Sequence, residues 1–116
     1  MIEEEHRRAV EKLKKLSAEG VPILAEGIRD LNRLRAIGVE GEIILIQGKS
    51  MPRLVHDLGG LKALIILTDF DRTGAQKCSR LKTLLEGYGV KVNTDLRLKI
   101  FSTTFSKRVE ELHLPE

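Results

Sequence analysis

The sequence predicts a small doubly wound α/β domain, with a parallel sheet of about four strands, helices on both faces and an extra amino-terminal helix. Short apolar segments alternate along the chain with segments of helical periodicity. The apolar segments are continuously apolar, which is typical of parallel strands that are buried on both faces. The length of 116 residues suits one domain with a single core.

The first quarter of the chain predicts two helices with a strand between them. An amphipathic helix over 2–18 ends at Gly20, which is a typical stop signal. The apolar segment 21–27 predicts the first strand, because its proline stands near the start, where a missing N–H is tolerated. Leucine and isoleucine every three residues predict a helix over 28–37.

The remaining segments repeat this alternation. Strands are predicted over 42–48 and 62–69, and a short helix over 51–58 connects them. A longer helix is predicted over 75–85, and 90–96 reads as a fourth strand.

We predict a single domain over 1–116, made of an amino-terminal helix (1–19), a core (20–96) and a helical tail (97–116). The tail alternates basic and apolar residues. Packing on the sheet, contact with nucleic acid and docking of a protein partner all remain open for it.

Composition restricts the partners and the compartment. The net charge of +3 and the pI near 9.2 permit a polyanionic partner without requiring one. The single cysteine, Cys78, fits a reducing compartment and lies on an apolar helix face, which favours core packing. The amino terminus lacks an apolar signal core, and no segment reaches the length of a membrane span. These features predict a cytoplasmic protein without a membrane partner.

Three carboxylates follow predicted strands at the edge where open parallel sheets bind ligands. Glu26 follows the first strand, and Asp69 and Asp71 follow the third. Residues two apart in an extended chain point to the same side, so these two aspartates can share one ion. At about 6 Å and an effective dielectric near 20 their charges repel by roughly 3 kcal/mol, which a cation relieves. Oxygen ligands without nearby His or Cys favour a hard cation such as Mg²⁺.

Each acid also has a structural alternative. Asp71 can cap the helix that begins near Arg72, which leaves Asp69 unexplained. Glu26 can be an exposed surface residue. Gly27 and Gly74 can allow close backbone approach or form ordinary turns.

These residues together resemble the Toprim domain. Glu26-Gly27 after the first strand, Asp30 in the helix that follows, and "DFDRTG" after a later strand carry the resemblance, which covers roughly 20–96. The family includes topoisomerases, bacterial-type primases, OLD-type nucleases, recombination-repair proteins and nucleases that mature small ribosomal RNA. The resemblance implies a small stand-alone protein with a Rossmann-like Toprim fold.

The resemblance also implies roles. Glu26 matches the family glutamate, a general acid or base that also lies among the metal ligands. Asp69 and Asp71 match the aspartates that hold Mg²⁺, for which Mn²⁺ can substitute. Gly27 and Gly74 match the glycines of the two motifs, and Asp30 is a supporting residue. Glu26 can act as an acid only if its neighbours raise its pKa.

Two activities of this family are disfavoured. The single tyrosine, Tyr88, stands in the predicted turn "GYGV", so the topoisomerase nucleophile has no good candidate. The chain has no cysteine or histidine cluster that could supply the zinc-binding region of a primase. A nuclease-like or nucleotidyl-transfer-like protein therefore remains, acting on DNA or RNA alone or within a complex. A Toprim module that binds nucleic acid or protein without catalysis is the alternative.

A second family has a similar motif. "TDFDRTG" resembles the D-x-D-x-T motif of haloacid-dehalogenase-type phosphatases, with Asp69 as nucleophile and Asp71 as acid/base. That motif normally follows the first strand, and here it follows the third. Chain order therefore disfavours this alternative.

Basic residues near the predicted site are candidates for phosphate binding. "QGKS" places Gly48 and Lys49 after the second strand, although Ile43 stands where a Walker motif requires glycine. Arg72 and Lys77, in the helix after the aspartates, are placed to steer a phosphate backbone. Exposed, solvated side chains are the alternative for all three cations.

Overall fold

The computed structural model describes residues 2–102 and 108–112. Within those residues, five α-helices alternate with four β-strands, and a 3₁₀ turn follows. The helices are α1 (Ile2–Ala18), α2 (Ile28–Ala36), α3 (Met51–Leu58), α4 (Arg72–Gly87) and α5 (Asp95–Ser102). The strands are β1 (Ile23–Ala25), β2 (Ile43–Leu45), β3 (Ala63–Ile66) and β4 (Lys91–Asn93). The 3₁₀ turn, named the C-terminal turn below, covers Val109–Glu111.

The four strands form one parallel sheet in the order β2-β1-β3-β4. The chain moves from β1 outward to β2, and then crosses back to β3 and β4 on the other side. The direction of winding therefore reverses between β1 and β3, where Ile23 pairs with Ile65 and Leu24 with Ile66. The predicted α/β class, with a four-stranded parallel sheet flanked by helices, is confirmed.

Side chains of the two central strands alternate between two apolar layers. One layer contains α1, α2, α5 and the C-terminal turn, and it also holds Ile23, Ala25 and Ile65 of the strands and Leu67, which directly follows β3. The other layer contains α3 and α4, and the sheet residues in it are Leu24, Leu64 and Ile66. All seven side chains are fully buried. This double burial explains why the strand sequences are continuously apolar.

The fourth strand is shorter than predicted. β4 ends at Asn93 and α5 begins at Asp95, so the segment 94–96 is not strand and the tail helix begins two residues early. The physical reason is a side-chain bond, because the Asn93 amide oxygen accepts the backbone N–H of Leu96 at 3.2 Å. Such bonds satisfy donors that a helix leaves free at its start.

The tail packs on the sheet through the part that the structure describes. Ile100 and Phe101 of α5, with Val109 and Leu112 at the C-terminal turn, are buried in the layer that also holds α1. The predicted helical tail extends over 103–107 and 113–116, which lie outside the described residues. Cys78 is buried against α3, as predicted, and burial raises the pKa of its thiol.

The start of α4 passes close to the loop that follows β3. A Cβ atom at Gly74 would clash with the backbone oxygen of Asp69, so no side chain fits there. The buried hydroxyl of Thr68 donates to the Gly74 carbonyl at 2.8 Å and fixes the same approach. Gly74 is therefore required by the backbone that carries the two aspartates.

Replacement of Gly74 by alanine should change the free energy of unfolding in the opposite direction to a usual Gly→Ala substitution in a helix. Alanine normally stabilises a helix interior by up to about 1 kcal/mol relative to glycine. We expect Gly74→Ala to lower the free energy of unfolding by about 1–3 kcal/mol, because the added methyl group overpacks the loop. Gly87→Ala, in the same helix with open space around its Cβ position, is the matched control. Urea unfolding measures both, and a Gly74→Ala variant as stable as Gly87→Ala would contradict the assignment.

Candidate functional site

The candidate site lies where the direction of winding reverses. β1 leads directly to Glu26, and β3 leads through Thr68 to Asp69. Because β1 and β3 are parallel neighbours, their carboxyl ends meet at one edge of the sheet. Ligands of open α/β sheets bind in the crevice at this reversal point. The geometric condition for bringing Glu26 and the aspartates together is thus met.

A cleft of about 330 Å³ opens at this edge. It is lined by all four predicted acids and by one of the predicted glycines, namely Glu26, Asp30, Asp69, Asp71 and Gly27. Four further residues bring cations, an amide and another acid to the wall, namely Arg29, Gln47, Arg108 and Glu110. The last two come from the tail, far along the chain.

Glu26 is partly buried and has a cationic neighbour. The ammonium nitrogen of Lys77, on α4, lies 3.6 Å from its Oε1. Burial raises the pKa of the Glu26 carboxyl above its ordinary value, Lys77 opposes this, and the charges of Asp69, Asp30 and Asp71 raise it further. The condition for Glu26 to act as an acid, a raised pKa, is therefore present.

Asp30 supports the turn that carries Glu26. It is only 7% exposed, and its Oδ2 accepts the backbone N–H groups of Glu26 at 3.2 Å and Gly27 at 3.1 Å. Burial raises the pKa of Asp30, the two backbone hydrogen bonds oppose the shift, and the charges of Asp69 and Glu110 add to it. We interpret the supporting role predicted for Asp30 as closing the turn between β1 and α2, which carries Glu26.

The two aspartates each use one oxygen in a structural bond. Asp71 caps α4, because its Oδ1 accepts the N–H of Gly74 at 2.7 Å. Asp69 accepts the N–H of Val109 at 3.0 Å through its Oδ1 and so holds the C-terminal turn. The Oδ2 atoms make no hydrogen bond to other described residues, and both carboxylates line the cleft.

The residues present suit a hard cation held by few protein ligands. Among residues 2–102 and 108–112, no group of three or more His, Cys, Asp or Glu side chains is arranged to hold a metal ion. Mg²⁺ is commonly bound by one or two carboxylates, with waters and substrate phosphates as its other ligands. The Oδ2 atoms of Asp69 and Asp71 supply that donor chemistry.

Arg97 positions the loop that carries Asp69, and the sequence pattern did not single it out. Its guanidinium donates to the backbone oxygens of Thr68 at 2.9 Å and Asp69 at 2.7 Å, and it lies 5.1 Å from the ring centroid of Phe70. Arg97 is buried on α5, 28 residues from Asp69 along the chain. In the sequence, Arg97 is a basic residue between two apolar positions of a helix. This pattern is too common to identify Arg97 as a site residue.

The other predicted residues are not among those that line the cleft. Lys77 forms an ion pair with Glu26, which does line the cleft. Lys49 lies 3.9 Å from Asp57 of α3, and Arg72 lines a separate exposed groove along α4. Gly48 has φ of +81°, so its backbone conformation explains the glycine. A phosphate-binding role for Lys49 and Arg72 stays a prediction.

The fold and the cleft define a small parallel α/β protein with an acidic cleft at the point where the direction of winding reverses. The chain belongs to the UPF0292 family. It is 34% identical over 115 residues to a UPF0292 protein of Thermococcus gammatolerans, which covers 97% of this chain and 86% of that protein. It is 38% identical over 99 residues to a UPF0292 protein of Methanocaldococcus jannaschii, which covers 84% of this chain and 77% of that protein.

A solved structure supports the fold. A protein from Aquifex aeolicus is similar with a TM-score of 0.75 and 30% identity, over 91% of this chain and 96% of that chain. No protein-family model matches the chain. No helix within the described parts of the chain is long and apolar enough to cross a membrane.

The raised pKa of Glu26 predicts a pH-dependent gain of stability in Glu26→Gln. Between the pKa values of the unfolded and folded states, the folded protein binds more protons, so wild-type stability falls as pH rises through this window. Glutamine cannot ionise. The variant should therefore gain stability over wild type as pH rises from about 4, close to the unfolded pKa, towards neutrality.

Urea unfolding in EDTA between pH 4 and pH 8 measures this difference. Glu42→Gln is the matched control, because it makes the same chemical change at an exposed position before β2, at the opposite edge of the sheet. A Glu26→Gln difference that stays constant or decreases with rising pH would contradict the prediction.

Proposed function

We propose that the protein is a Mg²⁺-dependent Toprim protein that acts on nucleic-acid phosphodiesters, by hydrolysis or nucleotidyl transfer. One observation carries the proposal. Glu26, Asp69 and Asp71, which come from two separate strand ends, line the same cleft at the reversal point of the sheet. These are the three acids through which the sequence resembles the Toprim domain.

Asp69 and Asp71 would hold the ion through their Oδ2 atoms. The metal contact that the resemblance implies for Glu26 has no support in the arrangement of the described residues, where no three such side chains surround one point. When bound there, Mg²⁺ neutralises charge on a phosphodiester and orients it, and Mn²⁺ can substitute. The structural bonds to Val109 and Gly74 leave these oxygens available and hold the two side chains in place.

Glu26 would move the proton. Its raised pKa favours the protonated form at higher pH than for an exposed glutamate, which suits a general acid. Once it has given up the proton, the carboxylate is stabilised by Lys77 at 3.6 Å. Lys77, which belongs to the basic helix α4, would thus take part in the proton transfer by stabilising the ionised form of Glu26.

A binding module without catalysis is the second candidate. It is favoured by the structural use of every acid, because Asp71 caps a helix, Asp69 holds the C-terminal turn, and Glu26 pairs with Lys77. Such a module would bind nucleic acid or a protein partner through the same edge. A cytoplasmic location stays a prediction for both candidates, and the single cysteine supports it.

An activity screen separates the candidates. Labelled single-stranded and double-stranded DNA and RNA are incubated with the protein in Mg²⁺, in Mn²⁺ and in EDTA. We expect metal-dependent cleavage or transfer that falls by about 10²–10⁴-fold in Glu26→Gln, since a positioned acid or base contributes that much. Glu42→Gln, the control at the opposite edge, should keep the activity.

Other outcomes have specific meanings. Binding of nucleic acid without any product, in every metal, would contradict the enzyme and support the binding module. Phosphate trapped covalently on Asp69 from a small phosphate ester would contradict both and support the phosphatase alternative.

A further inference from the structure

Two arginines converge on one carboxylate at the rim of the cleft. The Nη1 of Arg29 lies 4.0 Å from Oε2 of Glu110, and the Nη1 of Arg108 lies 3.8 Å from Oε1 of the same residue. All three side chains line the cleft that holds Glu26, Asp69 and Asp71. Arg29 belongs to the first turn of α2, whereas Arg108 and Glu110 come from the tail. Two distant parts of the chain thus build one charged group.

The position of the tail residues is fixed by buried contacts. Val109 and Leu112 are buried in the apolar layer, on either side of Glu110. The N–H of Val109 donates to Asp69 at 3.0 Å, so the C-terminal turn is attached to a proposed metal ligand. Arg108 and Glu110 therefore form a wall of the proposed active site.

The arrangement of charges resembles that of a bound oxyanion. Each oxygen of Glu110 faces a different guanidinium, as two oxygens of a phosphate group would. Both separations exceed hydrogen-bond length, and the arginine side chains are 84% and 62% exposed. Exposed ion pairs of this kind are weak, so a more highly charged anion can displace the carboxylate. The amino-terminal end of α2, next to Arg29, also favours an anion.

We propose that Arg29 and Arg108 form a phosphate-binding site at the rim of the cleft, and that Glu110 occupies this site until a phosphate group displaces it. The assignment of this phosphate to a nucleic-acid substrate rests on the proposed function. The anion site itself requires no metal. A terminal phosphate carries about −1.5 to −2 charges at pH 7 and competes with Glu110 better than an internal phosphodiester, which carries one.

Inorganic pyrophosphate is the first probe, titrated calorimetrically in EDTA at low ionic strength. We expect Glu110→Gln to bind pyrophosphate about two- to five-fold more tightly than wild type. The substitution removes the negative charge that competes with the ligand and keeps the shape of the side chain. Arg29→Gln and Arg108→Gln should each bind it about two- to ten-fold more weakly.

A similar charge group provides the matched control. On α1, Glu4 has the guanidinium of Arg7 at one oxygen and that of Arg8 at the other, and none of these three residues lines the cleft. Glu4→Gln and Arg7→Gln repeat the same charge changes there and should leave pyrophosphate affinity within two-fold of wild type. An equal gain in Glu4→Gln and Glu110→Gln, wild-type affinity in both cleft arginine variants, or no binding by Glu110→Gln would overturn the proposal.

Oligonucleotides with a 5′-phosphate or a 5′-hydroxyl identify the source of the phosphate, also in EDTA. Tighter binding of the phosphorylated strand, lost in Arg29→Gln and Arg108→Gln, assigns the site to a terminal phosphate. Equal binding of both strands that weakens in the same variants assigns it to an internal phosphodiester. If the wild-type protein neither binds Mg²⁺ nor shows metal-dependent activity, the proposed function is overturned. The anion site stands in that case if the pyrophosphate results are as expected.

Discussion

The parallel pairing of β1 with β3 is the constraint on which the candidate site depends. It brings together two strand ends that are more than 40 residues apart in sequence, one followed by Glu26 and the other by Asp69. Six fully buried apolar side chains of these strands, together with Leu67 directly after β3, hold the pair between two layers of helices. Their contribution is large, since full burial of one Leu or Ile is worth about 1.5–3 kcal/mol. The acids that follow the strands are therefore carried by the most buried part of the molecule.

Concentrating carboxylates at one edge has an electrostatic cost, and local contacts offset it. Burial raises the pKa of Glu26 and of Asp30, and the charges of the neighbouring carboxylates add to both shifts. Lys77 opposes the shift at Glu26, and backbone N–H groups bind one oxygen of each aspartate. Asp69 has a further function, because its bond to Val109 attaches the tail to the sheet edge. The same acids thus stabilise the fold locally and line the cleft.

The sequence predicted the part of the site that depends on strand ends and chain order. Glu26, Asp30, Asp69 and Asp71 lie together because each stands within five residues of the end of a central strand. Such a strand can be recognised in the sequence from its run of apolar residues.

The remaining parts depend on long-range packing. Arg97, Arg108 and Glu110 reach the edge only because α5 and the C-terminal turn pack against the sheet, which no local periodicity encodes. The end of β4 was misjudged for a local reason, since the side chain of Asn93 starts a helix inside a strand-like pattern. Calorimetric titration of Mg²⁺ into wild type, Asp69→Asn, Asp71→Asn and the control Glu42→Gln measures whether the two aspartates hold the ion. The asparagine oxygens can still accept from Val109 and Gly74, so both variants keep the structural bonds and lose only charge. We expect wild type and Glu42→Gln to bind Mg²⁺ and both asparagine variants to lose this binding, whereas unchanged binding in both would contradict the proposed metal site.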